Sequence, residues 1–313
     1  MAGRLDGVVP VVKPPGMTSF GVVRYLGRLW HTRHIGHTGT LDPQATGLLL
    51  VCVGQATRLA EYFQHDRKAY VTELVLGVST DTGDGSGTIT LKTDPGKAWP
   101  GAEALQAALA HFTGRVEQVP PIYSAVRVSG RHGYEWARAG VRVEIPRRTV
   151  EIYRIDYVHG PVPARGRFSG WPAVVLQVEC QAGTYIRSLC TDLGSYLGTG
   201  GHMGFLLRER VGAFSVGEAW TLEELGDLTA AGQVETAFFP MADALRGWPR
   251  VELPKEAARR LQYGVCPSPE EISLPDLPEG LLALMYQGEL LAVARHEKGQ
   301  LRLEKVLAAS GQE

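Results

Sequence analysis

The chain has 313 residues, of which 44% are hydrophobic and 21% charged, and a formal net charge of −1. These values fit a globular protein of one large domain, or one large and one small, and exclude a disordered chain, a collagen-like chain and a coiled coil. No apolar run approaches the ~18 residues of a membrane span. The opening Met1-Ala2-Gly3-Arg4-Leu5-Asp6 leads into no signal-peptide core, so the expected location is the cytoplasm.

A balance of −1 argues against a uniformly basic nucleic-acid binder, but the distribution of charge matters more than its sum. Of the 32 basic residues 25 are Arg, and Asn is absent. Arginine suits phosphate recognition because its planar fork bonds bidentately. The same bias also follows from a GC-rich genome or from avoidance of thermolabile amides. The four cysteines, at 52, 180, 190 and 266, form no C-x-x-C pair and read as buried free thiols in a reducing compartment.

In chain order, Gly7 to Lys13 is apolar and ends at the turn signal Pro14-Pro15-Gly16. Thr18 or Ser19 then offers an N-cap to a helix with Val22, Val23, Leu26 and Leu29 on one face. Thr32 to Gly47 is polar, contains Gly and is too irregular for an element. Thr46 to Val53 is a single buried apolar segment. Tyr70 to Val78 alternates like a strand, and Asp81 to Gly87 reads as a turn. Ala102 to Phe112 is an amphipathic helix, and Val150 to Val158 and Val174 to Cys180 alternate as strands. Helices and strands mix without strict alternation, which predicts an α+β fold.

Two shifts in composition stand out. Arg127 to Arg154 holds seven Arg against three Glu, with Tyr134, Trp136 and Tyr153 interleaved. That pattern suits either an RNA-contacting flap or a solvated helix with a strand behind it. Beyond Trp248-Pro249 the chain turns strand-rich, with Leu281 to Met285 and Leu290 to His296, enough for a small β domain.

The sharpest signal is Gly36-His37-Thr38-Gly39-Thr40-Leu41-Asp42-Pro43-Gln44-Ala45-Thr46-Gly47. Asp before Pro is by itself a common turn residue. The whole string, with Lys13-Pro14-Pro15-Gly16-Met17-Thr18-Ser19 before it and Lys68-Ala69-Tyr70 after it, resembles the TruB family of tRNA pseudouridine synthases. Pro120 to Gly130 and Tyr134-Glu135-Trp136-Ala137-Arg138 are similar to the family's thumb, and Gly183-Thr184-Tyr185-Ile186-Arg187-Ser188-Leu189 to its later active-site strand and turn. Gly201 to Phe214 fits more loosely. There Leu206-Leu207-Arg208 stands where the family shows Leu followed by two basic residues.

The resemblance, over residues 7 to 246, implies a pseudouridine synthase fold with a mixed, largely antiparallel central sheet. It also implies conversion of uridine 55 in the tRNA T-loop to pseudouridine by base flipping, with no cofactor and no metal. Asp42 is then the essential carboxylate, nucleophile at C1′ or base at C2′, and Arg187 its bidentate partner. Tyr70 covers the uracil, Tyr185 and Leu206 line the pocket, and His37 enters the space left by the flipped base. Lys13 braces the loop, and the thumb, about residues 124–152, contributes Arg127, Arg142, Arg147 and Arg148 to RNA binding. Residues 1–247 form the catalytic domain and 248–313 a short PUA-like domain. The expected partner is the tRNA T-arm, with no membrane and no protein partner implied, and the chain acts as a monomer. A second reading is a non-catalytic tRNA-binding or folding chaperone of the same fold.

Three other patterns resolve locally. His31, His34 and His37 recur every third residue, but Gly36 interrupts them and no Cys is near to complete a zinc site. Asp81-Thr82-Gly83 has no second copy to share a proton as an aspartic protease requires. Gly83-Asp84-Gly85-Ser86-Gly87-Thr88 lacks the Gly-Lys-Ser/Thr ending of a phosphate-binding loop.

Overall fold

The structure is a computed structural model that describes residues 5–307 apart from 125, 129, 140, 142, 269 and 273–276. Strand β1 (Gly7–Lys13) leads into helix α1 (Ser19–Leu29), whose Thr18 side chain accepts the Gly21 N–H at 2.9 Å as its N-cap. Strands β2 (Ile35–His37) and β3 (Thr46–Val53) follow, then the short α2 (Ala60–Gln64) and β4 (Lys68–Leu76). Next come β5 (Val78–Thr80), β6 (Ile89–Lys92), α3 (Ala102–His111) and β7 (Gly114–Gln118). The arginine-rich region forms the two-residue strands β8 (Arg127–Val128) and β9 (Arg131–His132) and helix α4 (Gly133–Arg138). Strands β10 (Arg148–Pro163) and β11 (Pro172–Cys180), α5 (Ile186–Tyr196) and β12 (Gly201–Val211) complete the frame of the site.

The central sheet runs β1-β3-β12-β4-β11-β10-β7. Only the β3–β12 pair is parallel along this path; the others are antiparallel. Strand β13 (Phe214–Ser215) extends β12, and β2 pairs with β3. The remaining chain gives α6 (Leu222–Ala230), α7 (Met241–Ala244), β14 (Arg250–Glu252), α8 (Lys255–Gln262), β15 (Gly280–Tyr286), β16 (Glu289–Glu297) and β17 (Gln300–Val306). Its four strands form a separate sheet, β14-β15-β16-β17. The α+β class and the mixed, largely antiparallel sheet hold as expected.

Strand β3 is apolar throughout because both its faces are covered. Leu49, Val51 and Val53 pack with Val22 and Leu26 of α1 and Leu225 of α6. Leu48, Leu50 and Cys52 join a cluster with Met285, Leu290 and Val293 of the C-terminal sheet. At the other end of the sheet, Leu105 and Leu109 of α3 and Leu189 and Leu193 of α5 cover Leu74, Ile152, Leu176 and Val178. The cysteines at 52, 180 and 190 are buried in these cores, where desolvation pushes each thiol up to about 12.

Strand β10 runs past the expected Val158 to Pro163, and two further boundaries differ from the sequence reading. The stretch from Thr32 to Gly47 contains β2, a three-residue strand whose Gly and His hide any alternation. The strand expected from Tyr70 to Val78 breaks at Gly77, which takes φ +89° and has Trp171 and Ala98 where a side chain would stand.

Candidate active site

Asp42 sits on the loop between β2 and β3, and the earlier Lys13–Ser19 segment holds that loop from behind. The buried Lys13 ammonium donates to the carbonyls of Pro14, Met17 and Pro43 at 2.9, 2.7 and 3.0 Å. The Ser19 hydroxyl accepts the Leu41 N–H at 2.9 Å, and the Gly16 N–H reaches the Pro43 carbonyl at 2.8 Å. The residues on both sides of Asp42 are therefore fixed to one short stretch of chain. Burial brings the Lys13 amine down to about 8, against the opposing pull of the Asp42 carboxylate.

Arg187, one residue into α5, meets Asp42 across 145 positions of sequence. Its Nε donates to Oδ2 at 2.8 Å and its Nη2 to Oδ1 at 2.9 Å, a bidentate pair. The same guanidinium donates to the carbonyls of Thr82 and Tyr123 at 3.1 and 2.8 Å. Arg187 is 4% exposed, whereas the Asp42 side chain keeps 31% of its surface open. The carboxylate is thus gripped from the protein side and accessible on the other. The Asp81–Gly87 turn has a part in this: Asp84 ties it internally by accepting from Thr82 and Ser86, and the turn presents the Thr82 carbonyl to Arg187.

Asp42 opens on a cavity of about 380 Å³, lined also by His37, Tyr70, Tyr185, Arg187 and Leu206. That volume falls in the range of small-molecule sites. Tyr70 lies on β4 and is 9% exposed; burial pushes its hydroxyl up to about 12, so it is a neutral phenol at physiological pH. Burial and then the Arg208 guanidinium hold the His37 imidazole below its usual range. Its Nδ1 accepts the Gly39 N–H at 3.3 Å, which requires the neutral ring.

Tyr185 is positioned by a residue that the sequence reading passed over. The Gln118 side chain accepts the Tyr185 N–H at 3.0 Å and donates to its carbonyl at 3.2 Å. Gln118 ends β7 and pairs in register with Arg148, whose guanidinium lies 4.5 Å from the centre of the Tyr185 ring and donates to the Gly183 carbonyl. Arg148 therefore supports two residues that line this cavity, Gly183 and Tyr185.

Arg208, which the sequence shows only as the end of the Leu206-Leu207-Arg208 match and without a role, is one of the largest fully buried side chains. It sits on β12 between Gly47 of β3 and Tyr70 of β4. Its Nε donates to the Leu48 carbonyl at 2.7 Å and its Nη2 to the Gly39 carbonyl at 3.1 Å, and its charge opposes the effect of burial on Tyr70. Gly47 makes that crossing possible: at φ +106°, a Cβ there would lie 2.3 Å from the Arg208 carbonyl oxygen. A buried arginine with a wall-forming role has no local signature, since Arg on a strand ordinarily reads as an outward residue.

The structure thus gathers Asp42, Tyr70, Arg187, His37, Tyr185 and Leu206 around one cavity, with Lys13 behind the loop and Arg148 beside Tyr185. Arg127 and Arg147 are exposed and do not line it. Arg147 is 3.7 Å from Glu117 rather than paired with either neighbouring glutamate in sequence, and both side chains are about two-thirds exposed. Arg142 lies outside the described residues.

A family model described as TruB family pseudouridylate synthase (N terminal domain) matches residues 27–186, and one described as tRNA pseudouridylate synthase B C-terminal domain matches residues 187–246. The chain belongs to the TruB pseudouridylate synthase family. A protein named tRNA pseudouridine synthase B from Symbiobacterium thermophilum is 44% identical over 270 residues, 85% of each chain. One of the same name from Moorella thermoacetica is 42% identical over 299 residues, 93% of this chain and 94% of that one. Among solved structures, a chain from the "Crystal Structure of a Cbf5-Nop10-Gar1 Complex" matches with a TM-score of 0.71 at 27% identity, covering 96% of this chain and 84% of that chain. TruB family membership gives the cavity a pseudouridine synthase frame, and the convergence of Asp42, Tyr70 and Arg187 on it is a property of this chain's own geometry.

Proposed function

We propose that this chain isomerises uridine to pseudouridine in tRNA, at position 55 of the T-loop, with Asp42 as the reacting carboxylate. The observation that carries the reading is a carboxylate clamped in plane by Arg187 and facing a half-open, partly aromatic cavity. The curated relatives named tRNA pseudouridine synthase B support tRNA as the substrate. In the reaction the C1′–N1 bond breaks, uracil turns, C1′ bonds to C5, and the C5 proton leaves as N1 gains one. Atoms and electrons balance without an oxidant. Asp42 acts at C1′ as nucleophile or at C2′ as base, and Arg187 holds both its oxygens in a fixed plane.

The other residues act on the detached base. Tyr70 and Leu206 offer apolar surface against which uracil turns, and the Tyr70 phenol is available to move the C5 proton. Tyr185, fixed by Gln118 and Arg148, closes the rim. His37, neutral and at the mouth, occupies the space that the flipped nucleotide leaves in the RNA. A flipped base needs this enclosure because unstacking costs a few kcal/mol that contacts must return. Residues 1–247 form the catalytic unit and 248–313 a PUA-like RNA-binding unit. The described helices include none long and apolar enough to cross a membrane, which is compatible with work in the cytoplasm.

The test is release of tritium from C5 of uridine in unmodified tRNA. Label should appear in water in step with pseudouridine, and a transcript with cytidine at position 55 should release none. Absence of release from the unmodified tRNA would overturn the reading.

A further inference from the structure

Residues 7–41 contain Lys13, Arg24, Arg28 and Arg33 and three histidines, yet no Asp or Glu. Lys13 is committed to the catalytic loop, but the three arginines are exposed. Phe20, Arg24 and Arg28 recur every four residues, one stripe of α1 about 12 Å long. Beyond the helix, His31 and Arg33 turn back beside this stripe. Together they border a cleft of about 780 Å³ that no carboxylate lines. Among the described residues, none of these three arginines takes part in an ion pair. Phe20, 67% exposed, stands among them.

A chain with a net charge of −1 that leaves three guanidinium groups unpaired on one face has a strongly polarised surface. Polyanion recognition uses such a stripe: unpaired arginines neutralise phosphates and release counterions, and an exposed aromatic stacks on a base or ribose. The position of the cleft decides which polyanion. Strand β2 runs directly out of it, and from Arg33 to His37 is at most about 13 Å of extended chain, with His37 already lining the Asp42 cavity. A strand of RNA with one nucleotide in that cavity reaches α1 within a few phosphates.

Resting on the proposed function, we infer that the outer face of α1 with the His31–Arg33 turn is a phosphate-backbone site for the RNA strand entering or leaving the active site. It is separate in sequence from the arginine-rich region between Arg127 and Arg154. The site sets affinity and register, and it takes no part in bond making.

The experiment compares wild type with Arg24→Gln/Arg28→Gln/Arg33→Gln, using a labelled T-arm stem–loop transcript at several salt concentrations. The triple variant should bind roughly tenfold or more weakly at ~0.1 M salt, and the slope of log K against log salt should fall by about 0.7–0.9 for each phosphate no longer neutralised. Single-turnover pseudouridine formation at saturating RNA should stay within about twofold, because none of the three touches the cavity. Arg28→Glu alone should act in the same direction. Unchanged affinity and slope in a variant that melts like wild type would overturn the inference. So would loss of binding to vesicles of phosphatidylserine and phosphatidylcholine with RNA affinity intact, which would make the face a lipid surface. If wild type itself forms no pseudouridine on the transcript, the functional reading fails first, and that result is separable from these.

Discussion

The arginines of the cavity and those of α1 are the same residue in opposite employment. Arg187 and Arg208 are almost entirely buried, and their donors reach Asp42, Thr82, Tyr123, Leu48 and Gly39 at 2.7–3.1 Å. Arg24, Arg28 and Arg33 are exposed and unpaired within the described structure. The buried pair has given up solvation for fixed direction, so a change of shape matters as much as a change of charge. The exposed set keeps its solvation and long-range field, so charge matters more than shape and salt screens it. One chain thereby separates orientation from attraction.

The comparison is broken most severely at its anionic centre. Asp42→Asn should abolish isomerisation while leaving RNA affinity within about tenfold, because it removes the reacting group and no phosphate contact. More than a few per cent of wild-type turnover would place the chemistry elsewhere. Arg187→Lys comes next: charge survives but the fork does not, and a carboxylate out of place by an ångström costs roughly a hundredfold in the single-turnover rate. An unaltered rate would show that Arg187 supplies field alone, as the surface arginines do.

Arg208→Gln sharpens the contrast through stability. The Leu48 and Gly39 carbonyls would lose their donor, at a cost of about 1–3 kcal/mol in urea unfolding. The exposed triple variant should lose far less. Equal losses would erase the distinction between the two sets.

A last contrast concerns a buried cation of the other kind. Lys68 donates to the carbonyls of Gln64 and Asp66 at 2.6 Å, and burial brings its amine from 10.5 to about 8. The folded chain therefore releases this proton near pH 8 and the unfolded chain near 10.5, so the unfolded chain binds more protons between the two. Stability from this group rises across that window. The melting temperature of wild type relative to Lys68→Met should climb by roughly a few degrees from pH 8 to 10.5; a flat difference would show a lysine titrating as if in water.

Much of the scaffold was legible because local chemistry specifies it. Thr18 caps α1, and the apolar run of β3 announces a strand covered on both faces. The Asp42 loop was legible as a resemblance, but its partner was not readable by spacing, since 145 residues separate Asp42 from Arg187 and it is the packing of α5 on β12 and β4 that brings them together. Gln118 and Arg208 escaped for a related reason. Each is a polar residue whose importance comes from where it is buried, and burial of polar groups leaves no periodic trace. Arg148 shows a milder form: sequence proximity groups it with the thumb, while register with Gln118 carries it to Tyr185.

The face of β1 and β3 that meets the C-terminal sheet has a consequence for biogenesis. Val8, Leu48, Leu50 and Cys52 share one core with Ala283, Met285, Leu290, Val293 and Leu307. The first group leaves the ribosome about 230 residues before the second, roughly 10–50 s at ordinary elongation rates. Over that interval Phe63, Phe214 and Met241 reach the same core first, and the part of this face that the C-terminal sheet covers waits for its partners. The last strands are thus a completion seal, and an aborted chain should carry its own mark for chaperones and proteases. Limited proteolysis of the full chain and of one truncated after Pro249 tests this: Leu48–Cys52 should be cut faster in the truncated chain, and equal protection would dismiss the seal.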